Sequence, residues 1–507
     1  MNTKIQNIDF SSYRSSGAVT PATEAALQEI TEIIAKSLTK VVTPSKNIVA
    51  SADRLFRHPF GRDSAISAEK LLRYDPAIAR QSILLMASTQ GVKRHQKTEE
   101  KPGKIFHEMK FKSSDEAQQI IFESLRKTLG IGDPDKFISY TSIDATMEFI
   151  HLIHEYVNLC GVNILEEHVT RQDGKVVMVE EALLAAVEWL RGNIARSDIG
   201  LVRARRTNPN ASIVADLLDG SSSFMHADGK TLINYRREVN TLNFQSLGYQ
   251  ALVEAADIAT DKVASTTERN EWRKEADKLR QKTIDLFWMP DLGRVAMALD
   301  RDADGKPRQL KTESVLPAVA LRTGLFDDRP DIIEAILKNI YTPSMMTCVG
   351  PRTQSLRVDK DYIRYHEPPW PVLVGRVIEG AIRYKEYAIA RDLIERLLTG
   401  VYATGNAKEF HLIIGANDLG VYADVSDDST VKIALTNRPE APQAWTVATA
   451  WWAVNVALPV AMKNSESPGK IGSMLDVSIN KVVRTVPYTI DQGKALEIEK
   501  QIQELNI

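Results

Sequence analysis

Apolar residues recur at helical spacing along most of the chain. Between residues 21 and 42, Ile30, Ile34 and Leu38 fall on one stripe, as they do on an amphipathic helix that buries one face. Pro21 stands near the first turn, where a missing N–H is tolerated. The same spacing predicts further helices near residues 64–74, 76–90, 114–128, 143–158, 179–195, 240–259, 267–287, 312–324, 330–340, 371–385, 388–399 and 442–458.

Alternating apolar and polar positions are scarce. Residues 175–181 and 293–300 are the best strand candidates, and both look like pieces of short hairpins. About a dozen helices joined by unequal loops, with no fixed repeat period, predict one all-α domain whose helical hairpins can close into a ring of two layers. We place this domain at residues 21–465, after a polar segment at 1–20 and before an extension at 466–507 that packs on it.

Composition narrows the class of protein. The 507 residues include 64 basic and 66 acidic side chains, so no global field attracts nucleic acid or a membrane surface. Residues 1–17 lack the apolar core of a signal peptide, and no uninterrupted apolar run has membrane-spanning length. We therefore expect a cytoplasmic protein. Cys160 and Cys348 lie in apolar contexts that predict buried thiols.

Three long polar loops, at residues 196–238, 341–370 and 402–440, carry most of the residues suited to chemistry. In the first loop, "LLDGSSSFMHADGK" crowds Asp219, His226 and Asp228 into a turn-rich stretch. Such a stretch is a linker or one wall of an active site. The charged side chains favour the active site.

Arg62 and Asp63 stand directly before an apolar helical stripe. Asp63 is either an N-cap that accepts from free backbone N–H groups or, with Arg62, part of a pocket that binds sugar hydroxyls. His107 follows a Pro-Gly turn and is a further polar candidate.

Aromatic residues appear beside polar acceptors late in the chain. Tyr365, His366, Glu367 and Trp370 lead into a helix, where they either form a platform for a sugar ring or pack against the helix start. Glu409 and Trp445 follow, and Trp445 opens a helix from which it can face a pocket. Trp451 and Trp452 lie mid-helix and are predicted to be core residues.

No motif for a metal or an organic cofactor stands out. His151 and His154 are three residues apart, without the glutamate between histidines four apart that zinc hydrolases use. "GIGDPD" lacks the third glycine of a dinucleotide fingerprint, and neither a P-loop nor a G-x-S-x-G elbow occurs. We expect no metal and no cofactor.

Seven short segments carry a family resemblance. They are "FGRDS" (60–64), "YTSIDATMEFI" (140–150), "HADG" (226–229), "REVNTLNFQSLGYQAL" (237–252), "YHEPPWP" (365–371), "KEF" (408–410) and "PQAW" (442–445). In this order, between about residues 55 and 460, they resemble the glycogen-debranching, amylo-α-1,6-glucosidase-type glycoside hydrolases. The resemblance implies an (α/α)6 barrel of six inner and six outer helices that acts on a carbohydrate without a cofactor.

The resemblance also implies roles for individual residues. Asp219 matches the aspartate of the family's W-K-D-S string, the general acid, and Glu409 matches the general base. Asp63 resembles the residue that holds hydroxyls of the terminal glucose. Further substrate contacts are implied at Arg62, His107, Asp144, His226, Asp228, Glu238, Tyr365, His366, Glu367, Trp370 and Trp445.

Two departures from the family pattern bear on the substrate. "LLDG" replaces the family's tryptophan, lysine and serine around the acid, and "YHEPPWP" is one residue shorter than the family's Y-H-x-G-x-x-W-P. Glu367 therefore becomes a rival base.

The sequence predicts a two-carboxylate glycosidase that removes a terminal α-glucosyl unit. In the inverting form that the resemblance implies, the carboxyls stand roughly 6.5–9.5 Å apart with water between them. The acid needs a raised pKa, which burial among Leu217, Leu218 and Phe224 would provide. The alternatives are hydrolysis of sucrose, trehalose or a glucosyl- or mannosylglycerate, and a catalytically silent carbohydrate-binding relative. The sequence carries no signal of the oligomeric state.

Overall fold

Helices make up about 53% of the structure. The computed structural model describes residues 21–53, 56–211, 216–218, 223–228, 231–355, 368–411, 421–424, 440–464 and 484–487. The segments predicted at 1–20 and 466–507 therefore lie almost entirely outside the described residues.

The helices follow the predicted segments closely. They are α1 (Pro21–Val41), α2 (Gly61–Lys70), α3 (Pro76–Ser88), α4 (Glu116–Leu129), α5 (Asp144–Cys160), α6 (Val179–Ala195), α7 (Leu242–Ile258), α8 (Thr266–Phe287), α9 (Leu316–Ala320), α10 (Pro330–Ile340), α11 (Pro371–Arg383), α12 (Tyr387–Thr404), α13 (Ala444–Trp452) and α14 (Leu458–Asn464). A π-helical turn at Ala453–Ala457 joins α13 to α14.

Local sequence explains several of the helix boundaries. The Asp75 side chain caps α3 by accepting from the N–H of Ala77, and Pro76 occupies the first helical position. Ser265 and Glu268 form a capping box at the start of α8. α4 ends at Gly130, whose φ of 64° is left-handed and favours glycine.

Six helices contact one another in a cycle. α2 packs on α5, α5 on α7, α7 on α9, α9 on α11, and α11 on α13, which returns to α2. The helices between them in sequence, α1, α3, α6, α8, α10 and α12, pack alongside as a second layer. The all-α prediction with short hairpins is confirmed for the described residues.

The strands are short and lie in the loops. The antiparallel pairs are β1 (Glu108–Phe111) with β2 (Lys136–Ser139), β3 (His168–Thr170) with β4 (Val176–Met178), β6 (Trp288–Met289) with β7 (Arg294–Val295), and β10 (Met346–Thr347) with β11 (Gly350–Pro351). β5 (Asn240–Thr241), β8 (Ala298–Arg301) and β9 (Pro307–Gln309) form a three-stranded antiparallel sheet, and β12 (Val421–Asp424) pairs in parallel with β13 (Arg484–Pro487).

Of the two strand predictions, one agrees with the structure and the other agrees only in its first part. Residues 293–300 contribute most of β7 and β8, as predicted. At 175–181 the extended part ends at Met178, because Val179, Ala182 and Leu183 are buried at helical spacing and start α6.

The α13–α14 helix is long and apolar enough to cross a membrane by length and composition. In this structure α13 packs against α2, α11 and α1, so its apolar residues belong to the protein core. Trp451 and Trp452 in this helix are half-buried. Of the two cysteines, Cys348 is buried as predicted, whereas Cys160 is exposed because it stands at the end of α5.

Charged side chains fill part of the space inside the helix ring. We call the following six residues the axial ion network: Glu69, Lys70, Glu148, Arg322, Arg376 and Glu379. Arg376 donates to Glu148 at 3.1 Å, to Glu379 at 3.1 Å and to Glu69 at 3.3 Å. Arg322 donates to Glu148 at 3.1 Å, and Lys70 pairs with both Glu69 and Glu379. Each carboxylate therefore has at least one cationic partner.

Candidate active site

Polar side chains meet where the ring helices begin. Arg62, in the first turn of α2, donates from Nη1 to Asp144 Oδ2 at 3.2 Å, and Asp144 is the first residue of α5. The same nitrogen donates to the backbone oxygen of Asp216 at 2.5 Å. Since Asn243 in the first turn of α7 donates to Asp216 Oδ1, the N-terminal ends of three ring helices share one polar cluster.

Asp144 and Asp216 are fully buried. Asp144 Oδ1 accepts from the Ser142 hydroxyl at 3.0 Å. Asp216 Oδ1 also accepts from the N–H of Leu217 at 2.7 Å. Its second oxygen, Oδ2, is buried and accepts no well-formed hydrogen bond, while the Thr241 hydroxyl lies near enough to lower the pKa of Asp216 somewhat.

Burial, together with the negative charge of Asp144, raises the pKa of Asp216 to about 7. Burial also raises the pKa of Asp144, against the stabilising charge of Arg62. Two carboxyls and one guanidinium therefore share a site with little water. Such a site keeps a carboxyl protonated near neutral pH, as a general acid requires.

Asp63 is not an N-cap. Phe60 occupies the cap position and α2 begins at Gly61, so Asp63 lies inside the first turn. A Cβ at residue 61 would stand 2.1 Å from the backbone oxygen of Phe106, so only glycine permits this close approach. Asp63 is buried, and its Oδ1 accepts from Gln443 Nε2 at 3.1 Å. The pocket interpretation of Asp63 remains as a prediction.

Aromatic rings line the neighbouring helix starts. Trp370, directly before α11, stacks on Phe410 with ring centroids 5.4 Å apart. Its centroid lies 5.8 Å from that of Trp445 in α13, and the Arg62 guanidinium carbon stands 5.9 Å above the Trp445 ring. Trp370 and Trp445 are buried in this structure, and both rings belong to the hydrophobic core cluster.

Glu409 lies beside this aromatic group and is half-buried. Its N–H donates to the oxygen of Glu440 at 2.8 Å, and its Oε2 accepts from the N–H of Glu440 at 3.3 Å. The N–H of His411 donates to Pro369, next to Trp370, at 3.0 Å. The predicted base therefore stands between the segments that open α11 and α13.

His107 lies at the rim of the same region. Its oxygen accepts from the N–H of Gly61 at 3.0 Å, and its ring meets Phe60 edge-on at 5.5 Å between centroids. Neighbouring His58 is bonded to Glu108 at 2.6 Å. These contacts hold His107 against the start of α2.

His226 and Asp228 lie apart from the Arg62 cluster in the described contacts. His226 Nε2 is 3.2 Å from Asp300 Oδ2, whose pKa is held well below its usual range by Arg308 and His226 although burial opposes this. Asp228 is exposed, and both its oxygens accept from Thr231, by the backbone N–H at 2.9 Å and by the hydroxyl. Both residues shape the turn after the predicted acid.

Glu238 is buried in a network that joins the 196–203 loop to the small sheet. Its carboxylate accepts from Ser197 at 2.6 Å, from Arg301 at 2.7 Å and from the N–H of Asp198 at 3.1 Å. These bonds engage both oxygens, so the described contacts favour a structural role for this carboxylate.

The remaining predicted site residues, Asp219, Tyr365, His366 and Glu367, lie outside the described residues. The acid assignment and the rivalry between Glu367 and Glu409 therefore stay predictions.

Sequence reasoning missed Asp216, Ser142, Asn243 and Gln443. Asp216 is three residues before Asp219 in "ADLLD", a spacing that gives no reason to prefer one aspartate over the other. It also missed Lys104, which is fully buried near Trp189, with Nζ 5.8 Å from the ring centroid. Burial lowers the pKa of Lys104 to about 7, against the charges of Glu99 and Asp144.

Solved structures resemble this chain over most of its length. The mannosylglycerate hydrolase of glycoside hydrolase family 63 from Thermus thermophilus, in complex with Tris and D-glycerate, matches with a TM-score of 0.54 at 13% identity. The match covers 84% of this chain and 99% of that one. A structure named as a wild-type glycosidase matches with a TM-score of 0.52 at 10% identity, over 86% of this chain and 98% of that one.

No protein-family model matches the chain, and no curated protein matches it. The likeness therefore concerns the fold. This chain has the helical fold of the family 63 mannosylglycerate hydrolase, with a buried cluster of aspartates and one arginine at the N-terminal ends of its ring helices.

Proposed function

We propose that this protein is an (α/α)6-barrel glycoside hydrolase that removes a terminal α-glucosyl unit by inversion. The observation that carries the proposal is the meeting of Arg62, Asp144 and Asp216 at the starts of α2, α5 and α7, in a fold shared with a glycoside hydrolase. The cycle of contacts from α2 through α13 is what a barrel of six inner helices requires. The carbohydrate is the only partner that the proposal needs.

In the proposed mechanism Asp219 is the general acid and Glu409 the general base. The acid protonates the glycosidic oxygen of the leaving group, while the base takes a proton from the water that attacks the anomeric carbon from the opposite face. Asp63, held by Gln443, accepts from hydroxyls of the terminal sugar. A site that excludes water strengthens each of these interactions.

Asp216 is a positioning residue in this mechanism. Its backbone oxygen accepts from Arg62 and its carboxyl is held by Asn243, so it anchors the chain that leads to Asp219. Because its pKa is raised to about 7, its ionisation at alkaline pH adds a negative charge three residues before the proposed acid in sequence. That charge should raise the pKa of Asp219 as the pH increases.

A panel of sugars tests the proposal. The full chain is incubated with each of six substrates: maltooligosaccharides, isomaltose, sucrose, trehalose, glucosylglycerate and mannosylglycerate. NMR then identifies the anomer of the sugar that is released. We expect glucose to appear from an α-glucoside with inverted configuration. Retention of configuration would contradict the inverting mechanism.

Variants test the assignment of the acid and the base. Asp219→Asn and Glu409→Gln should each lower kcat by a factor on the order of 10²–10⁴ with KM little changed, because general acid–base catalysis contributes that much. Asp257→Asn and Glu166→Gln, on exposed surface ion pairs, are the matched controls. Full activity in Asp219→Asn would remove it from the mechanism and leave Asp216 as the acid.

A glucosyl- or mannosylglycerate is the second candidate substrate. The mannosylglycerate hydrolase is matched along 99% of its own chain, and its complex contains D-glycerate. This candidate predicts cleavage of the glycerate glycoside and none of maltose or isomaltose. Binding of a panel sugar without hydrolysis would instead favour a silent carbohydrate-binding relative.

A further inference from the structure

A second group of polar side chains lies farther along the ring helices, away from the candidate active site. We call it the His/Glu cluster: His151, His154 and Glu155 of α5 with Glu254 of α7. One ligand atom from each of the four lies within 4.8 Å of the other three. His151 comes seven residues after Asp144, which places it roughly 10 Å along the helix from the Arg62 cluster.

Charge balance sets this cluster apart from the axial ion network beside it. That network contains three cations and three carboxylates, so it is neutral in itself. Glu155 and Glu254, in contrast, pair only with His151 and His154 among the described residues. Within the described part of the chain, neither carboxylate therefore forms an ion pair with a lysine or an arginine, although Arg322 lies close enough for the charge of Glu254 to act on its pKa.

The distances within the cluster suit a small divalent cation. His151 Nδ1 lies 2.9 Å from Glu254 Oε1, and His154 Nδ1 lies 3.6 Å from the same oxygen and 3.1 Å from Glu155 Oε1. In a tetrahedral zinc site with bonds of about 2.0–2.1 Å, neighbouring ligand atoms stand about 3.3 Å apart. The observed spacings lie on either side of that value.

A further residue orients the buried carboxylate. Gln250, one turn before Glu254 on α7, donates from Nε2 to Glu254 Oε1 at 2.7 Å. Such an outer partner fixes the direction of a ligand before the metal arrives. Glu155 is 38% exposed, so one side of the cluster is open to solvent and gives an entry path.

We propose that His151, His154, Glu155 and Glu254 bind one Zn²⁺-type divalent cation that links α5 to α7 in a structural role. The histidine pair alone did not predict a metal. The carboxylate that completes the set lies 103 residues away from His151 in sequence.

Zinc binding at His151 changes the position of the proton on its ring. His151 Nε2 accepts from Arg322 at 3.4 Å, so its proton sits on Nδ1 and points to Glu254. The cation displaces this proton, and Nε2 must then be protonated beside Arg322, which Glu148 still holds at 3.1 Å. This change of tautomer releases no net proton, and the affinity for zinc should increase with pH because protons compete with the cation for the ligand atoms at lower pH.

Zinc titration of the chelator-treated full chain tests the proposal. We expect one Zn²⁺ per chain by calorimetry, a higher Tm with zinc, and a Co²⁺-loaded protein with the strong visible absorption of four-coordinate cobalt. His154→Asn, at a mostly buried position outside the axial ion network, should weaken zinc binding on the order of 100-fold. Glu254→Gln should do the same, and His168→Asn on the exposed end of β3 is the matched control.

Three outcomes would overturn the proposal. One is less than one zinc per chain, and another is an affinity that His154→Asn and Glu254→Gln leave equal to that of the control. The third is a Tm of the full chain that changes with pH but not with added zinc. That result would mean that protons on the histidines, and no metal ion, balance the two carboxylates. None of these outcomes bears on the glycosidase proposal, because the cluster does not touch the Arg62 site.

Discussion

The helix ring buries carboxylates in two places, and the two groups have opposite acid–base character. In the axial ion network, burial alone would raise the pKa of Glu69, but the charges of Lys70 and Arg376 lower it to about 2. At the helix starts, Arg62 donates to the carboxylate of Asp144 but to the backbone oxygen of Asp216, and the pKa of Asp216 is raised to about 7. The same helices thus hold a glutamate, Glu69, whose pKa is about 2 and an aspartate, Asp216, whose pKa is about 7.

The difference lies in the cations that face each carboxyl and not in burial alone, because Glu148 is as deeply buried as Asp144 and Asp216. A fully paired set of charges stabilises the ionised form and holds helices together. A set with more carboxyls than cations keeps a proton that chemistry can use. This contrast places the paired charges farther along the ring helices and the carboxyl of raised pKa at their N-terminal ends.

The largest loss of stability should come from removing a cation of the axial ion network. Arg376→Met removes the cation that joins Glu69, Glu148 and Glu379, and it should lower the free energy of unfolding by about 3–5 kcal/mol. The deficit should shrink toward pH 4–5, because Glu148, whose pKa is lowered in the intact protein, then accepts a proton. Urea denaturation at pH 5 and pH 8 measures both effects.

Arg329→Met is the matched control for this prediction. Arg329 forms a surface pair with Asp331, so its loss should change the free energy of unfolding by about 0–1 kcal/mol. Equal losses in the two variants would mean that the axial network contributes no more than a surface pair.

A smaller effect, with the opposite dependence on pH, should follow from Asp216→Asn. The raised pKa of Asp216 contributes stability below the unfolded-state value near 3.9, and this contribution is lost as the pH rises through about 7. The free energy of unfolding of Asp216→Asn, measured relative to that of the parent, should therefore be roughly 2–4 kcal/mol more favourable at pH 8 than at pH 4. The alkaline limb of the kcat profile should move as well, which a purely structural role would not produce.

Asp257→Asn, on a partly exposed pair with Arg273, should show no such gain. A stability difference between Asp216→Asn and the parent that stays constant from pH 4 to pH 8 would contradict the raised pKa. The contrast between the two buried groups would then disappear.

The smallest effect should come from Ser142→Ala. Ser142 donates to Asp144 Oδ1, and its removal should lower the free energy of unfolding by about 1 kcal/mol. The loss should grow as the pH rises, because the lost bond favours the ionised form of Asp144. Ser88→Ala, which removes a hydroxyl bonded to a helix carbonyl, should show a loss independent of pH.

Several local features were predictable from the sequence, because local physics determines them. The apolar stripe of α1, Pro76 at the start of α3 and the turn after α4 depend only on neighbours within a few residues. The collinear segments from "FGRDS" to "PQAW" indicated which helix starts carry polar side chains. Of the residues in these segments, Arg62 and Asp144 share a hydrogen bond, while their roles toward a substrate stay predictions.

Contacts between distant segments were not predictable. The sequence allows Asp63 to be an N-cap, but in the structure the helix begins two residues earlier, at Gly61. The backbone of Gly61 lies close to that of Phe106, a contact between segments distant in sequence. The family resemblance implies that Glu238 contacts the substrate, yet in the structure its carboxylate accepts hydrogen bonds from Arg301 and Ser197. Asp216 carried no signal, because its raised pKa depends on water being excluded by segments distant in sequence.

The sequence by itself determined where helices form, where they end and which loops hold polar side chains, because these depend on periodicity and on capping within one or two turns. The tertiary structure alone decided which carboxyls face a cation and which face another carboxyl. Glu148 and Asp144 lie one turn apart on α5, yet the first meets Arg322 and Arg376 and the second meets Arg62 and Asp216. The pairing of charges across the ring, and the exclusion of water around them, therefore set their different protonation.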